Sequence, residues 1–237
     1  MDSPPPLQRV HDITSTLATR LSGEGLDLVG WTRLSDYNNA VDRAQVLRPW
    51  GTEDAILVVV GNSKQMWPAF SAALKRSPER LLTAHPLDHW IEEVVGEVSS
   101  ALPWSHLVKF GHDRANAPMA IQCLAELAGL AHLAPCHLSV HPIFGPWIGL
   151  RAAFFIKGEV PDTAPQAAHD PCADCAQPCM EKLSRAIKQT APGKDHRQAW
   201  RAWLAVRTAC PIGTEHIYDD AQIRYHYTGE IEVLKTL

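Results

Sequence analysis

The residues with the clearest chemical potential are four cysteines in the second half of the chain. Three of them, Cys172, Cys175 and Cys179, follow the spacing C-x2-C-x3-C, and the fourth, Cys210, precedes a proline. Bacterial ferredoxins hold a cubane iron–sulfur cluster with a tight run of three cysteines and a remote fourth followed by proline. The spacing therefore predicts a 4Fe-4S cluster held by these four thiolates.

Two alternatives stay open for these cysteines. Four thiolates also suit a zinc ion, and a spacing motif alone is compatible with unligated thiols in a surface loop. The second gap of the run has three residues instead of the two found in ferredoxins, with Pro178 in the extra place. The two other cysteines, Cys123 and Cys136, are expected to stand alone in apolar surroundings, which leaves too few for a second four-cysteine cluster.

A second segment combines two aromatic residues, a Gly-Pro turn and an arginine. The sequence HPIFGPWIGLR occupies residues 141–151 and leads into an apolar strand. One interpretation is a hairpin with Trp147 in the core and Arg151 in a salt bridge. The other is a backbone-lined pocket for a flat ligand, in which Arg151 holds an anionic group.

Hydrophobic patterns indicate the elements that must position these residues. Short apolar or β-branched runs predict strands at 26–31, 55–60, 106–110 and 150–156. Apolar residues three and four positions apart predict helices at 7–22, 87–98, 118–133, 179–190 and 195–207. Because helices and strands intermix along the chain, the predicted fold class is α+β, a sheet covered by helices.

The composition changes near residue 160, which suggests a division of the chain. The stretch 159–171 carries three prolines and no aromatic residue, as is typical of a linker or an extended arm. We therefore predict a core at 1–160 and a small C-terminal appendage at 161–237, which contains the four cysteines and packs on the core.

Composition also argues against several classes of function. The chain has 237 residues and a formal net charge of −4, whereas a nucleic-acid surface normally needs a basic patch. No apolar run approaches the roughly 18 residues of a membrane span, and the first ten residues lack the pattern of a signal segment. We expect a soluble, cytoplasmic protein with no nucleic-acid or membrane partner.

Three stretches of the chain, in the same order, resemble the cobalamin type C protein family, the reductive decyanases and dealkylases that process incoming cobalamin. The stretch HPIFGPWIGLRAAFFIKGEVPD at 141–162 is similar to the family segment His-Pro-x-Phe-Gly-Gly-Trp-Phe-x-Ile-Arg-Gly. A helix-pair stretch at 66–95 and a Tyr-rich stretch at 207–227 are also similar. The resemblance extends over about residues 26–230.

The resemblance implies a nitroreductase-like fold, with an antiparallel or mixed sheet, that binds cobalamin with its lower base detached. It also implies electrons from a reduced flavin, with FMN as a candidate cofactor, and glutathione as the thiol for dealkylation. Arg151 matches the family arginine near the upper ligand and glutathione, so it is the predicted catalytic residue, and Arg207 is a second match. The other predicted cobalamin-binding residues are His141, Pro142, Phe144, Gly145 and Trp147.

The chain also departs from the family at positions near the expected upper face of cobalamin. Glu126 stands where the family has a histidine, and Ser139 stands where it has a cysteine. The family lacks the cysteine run, but epoxyqueuosine reductases resemble this fold, bind cobalamin and carry cubane clusters beside it. The C-terminal part is therefore predicted to be an iron–sulfur appendage similar to theirs.

The combined prediction is an oxidoreductase that binds cobalamin and removes its upper ligand, cyanide or an alkyl group. Electrons would reach cobalamin from the 4Fe-4S cluster or from a reduced flavin. The external electron donor would be a flavin or a ferredoxin-type protein. Three alternatives stay open: a cobalamin chaperone without turnover, a cobalamin-dependent reductase of another substrate such as epoxyqueuosine, and a nitroreductase-type flavoenzyme. Five aromatic residues are expected either to form a shelf for the corrin or to pack as ordinary core: Trp200, Trp203, Tyr218, Tyr225 and Tyr227.

Overall fold

The computed structural model describes residues 6–51, 54–113, 119–190 and 196–237, and a four-stranded antiparallel sheet forms its centre. The described strands are β1 (Leu28–Arg33), β2 (Ala55–Asn62), β3 (His106–Phe110), β4 (His132–Leu133), β5 (Ser139–Val140) and β6 (Gly149–Lys157). The central sheet has the order β1-β2-β6-β3, and β4 pairs with β5 in a separate ribbon.

Helices cover both faces of the central sheet. The α-helices of the described residues are α1 (Pro6–Ser22), α2 (Leu34–Ala40), α3 (Met66–Arg76), α4 (Pro86–Ser100), α5 (Ile121–Leu127), α6 (Pro178–Gln189), α7 (Trp200–Thr208), α8 (Asp220–Thr228) and α9 (Ile231–Leu234). None of them has the length and apolar character needed to cross a membrane.

The central strand β2 explains why the sheet has two cores. All eight of its residues are buried, and its side chains alternate between the two faces. Ile56, Val58 and Val60 pack with α1, α3 and α4, whereas Leu57 and Val59 pack with α2 and α5. Because both faces of this strand are buried, residues 55–60 are apolar throughout and do not alternate between apolar and polar.

The sheet has one irregularity that bears on function. The register between β2 and β6 shifts at Val60/Gly61, so that Val60 faces Ala152 whereas Gly61 faces Leu150. The residue left over on β6 is Arg151. A bulge of this kind re-aims the side chain at the extra position. The side chain of Arg151 therefore does not point to the face of the sheet covered by α2 and α5, where Ala153 packs. Its guanidinium lies near Tyr218 instead.

The C-terminal part packs on the core and also has a small core of its own. Tyr225 of α8 and Val233 of α9 belong to the core on the α1/α3/α4 face. Helices α6 and α7 pack against each other and around the β4–β5 ribbon. The division at residue 160 stays a prediction.

The α+β fold class is confirmed, and the sheet is antiparallel. The predicted elements mostly form, but two of the predicted helices were too long. The helix predicted at 118–133 spans only Ile121–Leu127, because Gly129 has a φ of +69° and ends it. Pro118, its predicted start, lies outside the described residues. The helix predicted at 195–207 becomes a 3₁₀ turn at His196–Ala199 followed by α7.

Candidate functional site

The structure gathers the four predicted cysteine ligands around one pocket. Cys172, Cys175, Cys179 and Cys210 all line it, and so does Cys136. We call this cavity, with its five cysteines, the thiol pocket. Its remaining wall is mostly apolar, with Ala134, Leu138 and Val140 from the β4–β5 ribbon, so the pocket is shielded from water on that side.

The loop that carries the first three cysteines is bent by local hydrogen bonds. The amide of Cys175 donates to the carbonyl of Cys172 at 3.2 Å, and the amide of Gln177 donates to Cys175 Sγ at 3.3 Å. Gln177 has a φ of +50°, a left-handed conformation that is uncommon for a side chain other than glycine. Pro178 follows at the start of α6, where proline is favoured, so Cys179 lies in the first turn of that helix.

The surroundings of three of these thiols, Cys172, Cys179 and Cys210, raise their pKa and favour the protonated form. Burial raises the pKa of Cys172 to about 11, and Asp170 adds to the rise. Burial also raises the pKa of Cys179 to about 12, with a further contribution from Cys136, and it raises the pKa of Cys210. A metal must therefore displace protons to bind here, as it does at cysteine sites generally.

A polar chain ties the cysteine loop to the core. Asp170 Oδ1 accepts a hydrogen bond from the amide of Cys172 at 2.7 Å and lies 3.1 Å from His132 Nε2. The other ring nitrogen of His132 is 2.9 Å from Glu126 Oε1. His132, Asp170 and Cys172 also bring one metal-ligating atom each to within 4.8 Å of one another. Glu126 thus positions the loop through His132.

Gly145 allows two backbone segments to pack closely against each other. It adopts a φ of +57°, and a Cβ at this position would overlap the carbonyl oxygen of Ile212. Gly213, with a φ of +71°, in turn approaches the carbonyl of Phe144 so closely that a Cβ there would overlap it. The turn of the 141–151 segment therefore lies directly against the backbone that follows Cys210 and Pro211.

His141 and Phe144 hold the same turn in shape. His141 and Gly145 exchange two backbone hydrogen bonds of 2.8 and 2.9 Å, and His141 Nδ1 accepts from the amides of Ile143 and Phe144. Burial lowers the pKa of His141, which favours the neutral ring that this acceptor role requires. Pro142 is exposed at the tip of the turn.

Arg207 fastens α7 to the segment after that turn. Its Nε donates to the carbonyl of Pro146 at 2.8 Å, and its Nη2 donates to the carbonyl of Ile148 at 3.0 Å. The guanidinium also lies 5.1 Å from the ring centroids of both Trp147 and Tyr218, within the range of cation–π attraction. Trp147 is fully buried in this stack.

Arg151 lies close to the same stack and is partly buried. Its Nε donates to Asn62 Oδ1 at 2.6 Å. Burial lowers the pKa of Arg151, and Tyr218 and Asp88 act in the opposite direction. The salt bridge considered from the sequence is absent among the described ion pairs, and an amide partner takes its place.

Two further cavities adjoin the thiol pocket. The β5–β6 pocket, of about 170 Å³, is lined by Gln122, Ser139, Pro146, Leu150 and Arg207, among others. The helical cleft, of about 520 Å³, lies between the ribbon and α6, α7 and α8 and is lined by Leu183, Ile187, Trp203, Val206, His226 and Tyr227, among others. Leu138 lines both of them and the thiol pocket as well.

One residue lining each of these two further cavities has a buried side-chain atom without a hydrogen-bond partner among the described residues. In the β5–β6 pocket it is Ser139 Oγ, and in the helical cleft it is His226 Nε2. Burial lowers the pKa of His226 well below its ordinary value, so the ring is neutral. Buried polar groups are usually hydrogen-bonded, and an unpaired one asks for an explanation such as a ligand.

The five aromatic residues, expected either to form a corrin shelf or to pack as ordinary core, do not form a single surface. Trp200, Tyr218 and Tyr227 cluster with Trp147. Tyr225 belongs to the main core, and Trp203 packs beside the thiol pocket.

Sequence reasoning missed Cys136, Ser139 and His226 as site residues. Cys136 was expected to stand alone, but it lies in the thiol pocket because the β4–β5 turn folds over α6. The one sequence signal for Ser139 was its place two residues before the His-Pro pair.

No protein-family model and no curated protein matches the sequence. Among solved structures, a B12-trafficking protein CblC from C. elegans, a human MMACHC homologue, has a similar fold over nearly its whole length. The TM-score is 0.73 at 15% identity, and the match covers 97% of this chain and 96% of that one.

Epoxyqueuosine reductases are also similar in fold. One, solved with an epoxyqueuosine-modified tRNA stem loop, has a TM-score of 0.50 at 12% identity and covers 95% of this chain and 71% of that one. The enzyme from Bacillus subtilis has a TM-score of 0.45 at 14% identity, with 80% and 56% covered. The chain therefore has the fold of the CblC protein, and the resemblance inferred from the sequence is confirmed at the level of the fold.

Proposed function

We propose that this protein binds cobalamin and removes its upper ligand by reduction. The observation that carries the proposal is the fold likeness to the B12-trafficking protein, which extends over both chains almost completely. The thiol pocket adds a redox-competent group of side chains beside the region where the sequence resemblance is strongest. A chaperone without turnover would have no evident use for that pocket.

The residues of the thiol pocket fit an iron–sulfur cluster. Cys172, Cys175, Cys179 and Cys210 come from one tight loop and one remote turn, yet all four reach the same cavity. When bound, a 4Fe-4S cluster supplies single electrons at low potential. The apolar ribbon wall would keep water from it, and burial is one of the factors that set the potential of such a centre. Zinc is the competing occupant, and metal analysis separates the two.

We place the corrin beside the β5–β6 pocket and the helical cleft. The two cavities share Leu138, and one residue lining each, Ser139 or His226, has a buried polar atom without a partner among the described residues, which a corrin amide or an upper ligand could pair. The apolar walls of the cleft would exclude water from the cobalt. Arg207 keeps the segment 146–148 in place between them. Nothing in the described residues adds support for FMN.

Arg151→Ala is expected to slow glutathione-dependent demethylation of methylcobalamin by roughly tenfold, with a much smaller change in cobalamin affinity. A charge-assisted bond to a glutathione carboxylate, worth about 1.5 kcal/mol or more, is the physical reason. Rates are measured by absorbance, and Kd by titration with cyanocobalamin, which should also reveal detachment of the lower base.

Thermal unfolding is the control, because Arg151 is partly buried and donates a hydrogen bond to Asn62. Equal losses of affinity and rate would assign Arg151 to the fold or to the corrin side chains. Failure of the unsubstituted protein to bind cyanocobalamin would contradict the proposed function itself.

A further inference from the structure

Helix α6 carries a row of basic side chains on its outer face. Its inner face, which includes Cys179 and Leu183, is buried. Basic residues recur every three positions on the opposite side of the helix, at Lys182, Arg185 and Lys188. Arg185 and Lys188 are exposed, and Lys182 is partly exposed. Because residues three and four apart lie on one face of a helix, the three charges form a single row, which we call the basic row.

The basic row begins at the rim of the thiol pocket. Pro178, the first residue of α6, is exposed and also lines that pocket. It precedes Lys182 by four residues, so it lies on the same face of the helix. The cysteine loop, residues 172–179, has three further exposed residues, all with short side chains: Ala173, Asp174 and Ala176. A protein partner on this surface can therefore approach the thiol pocket closely.

The charge of this region is opposite to that of the rest of the chain. Residues 172–208 contain seven Lys and Arg and three Asp and Glu, a net charge of +4, whereas the whole chain has −4, so the remaining residues carry −8. Within the basic row, Arg185 pairs with Glu181, and neither lysine has an ion-pair partner among the described residues. Neighbouring like charges destabilise a helix slightly, so the stability of α6 does not account for the row.

We propose that the basic row and the exposed cysteine loop form the docking surface for an acidic one-electron carrier protein of the ferredoxin class. The proposal rests on the proposed function, in which the four cysteines of the motif hold an iron–sulfur cluster. Charge complementarity determines the kind of partner, because opposite charges steer the encounter and fix the orientation of two proteins. One electron would leave the reduced carrier and enter the site, so the carrier is oxidised by one electron and no bond forms or breaks.

A nucleic acid is the other polyanion that a basic surface attracts. The basic row is short, and Asp174 and Glu181 lie beside it. A protein can place a basic side chain opposite each of these two carboxylates, whereas a phosphate backbone is negative throughout and would be repelled by both. The mixture of signs therefore favours a protein partner.

The test is calorimetric titration of the full-length protein, purified without oxygen, with an acidic 2Fe-2S ferredoxin. We expect binding at about 20 mM salt and a dissociation constant roughly tenfold larger at about 200 mM, because salt screens exposed charges. The double variant Lys182→Glu/Lys188→Glu should weaken binding at low salt by roughly tenfold. The second-order rate at which the reduced ferredoxin reduces the protein should decrease by a similar factor.

The matched control is the double variant Lys75→Glu/Arg76→Glu. Both residues are exposed near the end of α3, outside the basic row, and the substitutions change the net charge by the same amount. This variant should bind the ferredoxin as the unsubstituted protein does, which separates the position of the charges from their sum. None of the four substituted residues is buried, so circular dichroism and iron content should agree among the three proteins.

Two results would overturn the docking proposal. One is the absence of ferredoxin binding at low salt, or equal affinity for the α6 variant and the unsubstituted protein. The other is an RNA stem loop whose binding is lost in the α6 variant while ferredoxin binding is unaffected, which would assign the basic row to a nucleic acid. Dithionite needs no docking surface, so iron that it reduces would leave the proposed function in place in both cases. A protein without reducible iron would contradict the proposed iron–sulfur site and the docking proposal with it.

Discussion

Cys175→Ala is expected to lose most of the bound iron and acid-labile sulfide, together with the broad brown absorption of the protein. Cys175 is one of four thiolates that the motif supplies, and its sulfur also accepts the Gln177 amide that bends the loop. The substitution leaves one iron without a protein ligand and removes a contact that shapes the loop. Because metal binding is coupled to folding at such sites, the α6–α7 pair should also become less stable.

The matched control is Cys123→Ala, which removes a cysteine outside the thiol pocket and should keep the iron. Cobalamin affinity should change little in either variant, because neither Cys175 nor Cys123 lines the two cavities proposed to hold the corrin. Iron content is measured on protein purified without oxygen. If Cys175→Ala keeps the iron content and spectrum of the unsubstituted protein, the spaced cysteines are not the ligands.

Gly145→Ala is expected to lower the free energy of unfolding by about 3 kcal/mol or more. The left-handed φ alone costs about 1–3 kcal/mol for a residue with a side chain. The new Cβ would also overlap the carbonyl oxygen of Ile212, a backbone atom that cannot turn aside. The displaced backbone segment also carries Cys210, two residues before Ile212. The iron content should therefore decrease together with the stability.

Gly96→Ala is the control for this substitution. Gly96 is exposed on α4, and a Cβ there has open space around it. Alanine should stabilise that helix by about 0.5–1 kcal/mol. Thermal unfolding, with iron analysis of the folded fraction, distinguishes the two variants. A Gly145→Ala protein as stable as its parent would mean that the turn does not lie against Ile212.

Local signals in the sequence were enough for most of the fold. The five-residue strand at 106–110 and the helix around 87–98 depend on periodicities of two and 3.6 residues, and both were predicted closely. The helix at 118–133 was overextended because Gly129 continues an apolar pattern while its backbone ends the helix. The proline-rich stretch before the cysteines forms neither helix nor strand between β6 and α6, as its composition predicts.

The candidate site was predictable where its residues carry a sequence motif. Three cysteines follow a tight spacing and the remote Cys210 precedes a proline, so the four thiols could be recognised together. Cys136 reaches them across a turn in a different part of the chain, and no spacing rule relates it to Cys179. The direction of the Arg151 side chain was equally unpredictable from the sequence. It depends on a bulge in the pairing of β6 with β2 rather than on residues near it in sequence.

The most direct test of the proposed function is anaerobic reduction of cyanocobalamin by the as-purified protein. The protein is mixed with cyanocobalamin and a low-potential one-electron donor, and the corrin absorbance is followed together with released cyanide. The expected result is formation of cob(II)alamin and free cyanide, faster than with the donor alone and slower with Cys175→Ala. Unchanged cyanocobalamin, with neither a binding-induced spectral shift nor cyanide release, would contradict the proposal that this protein processes cobalamin.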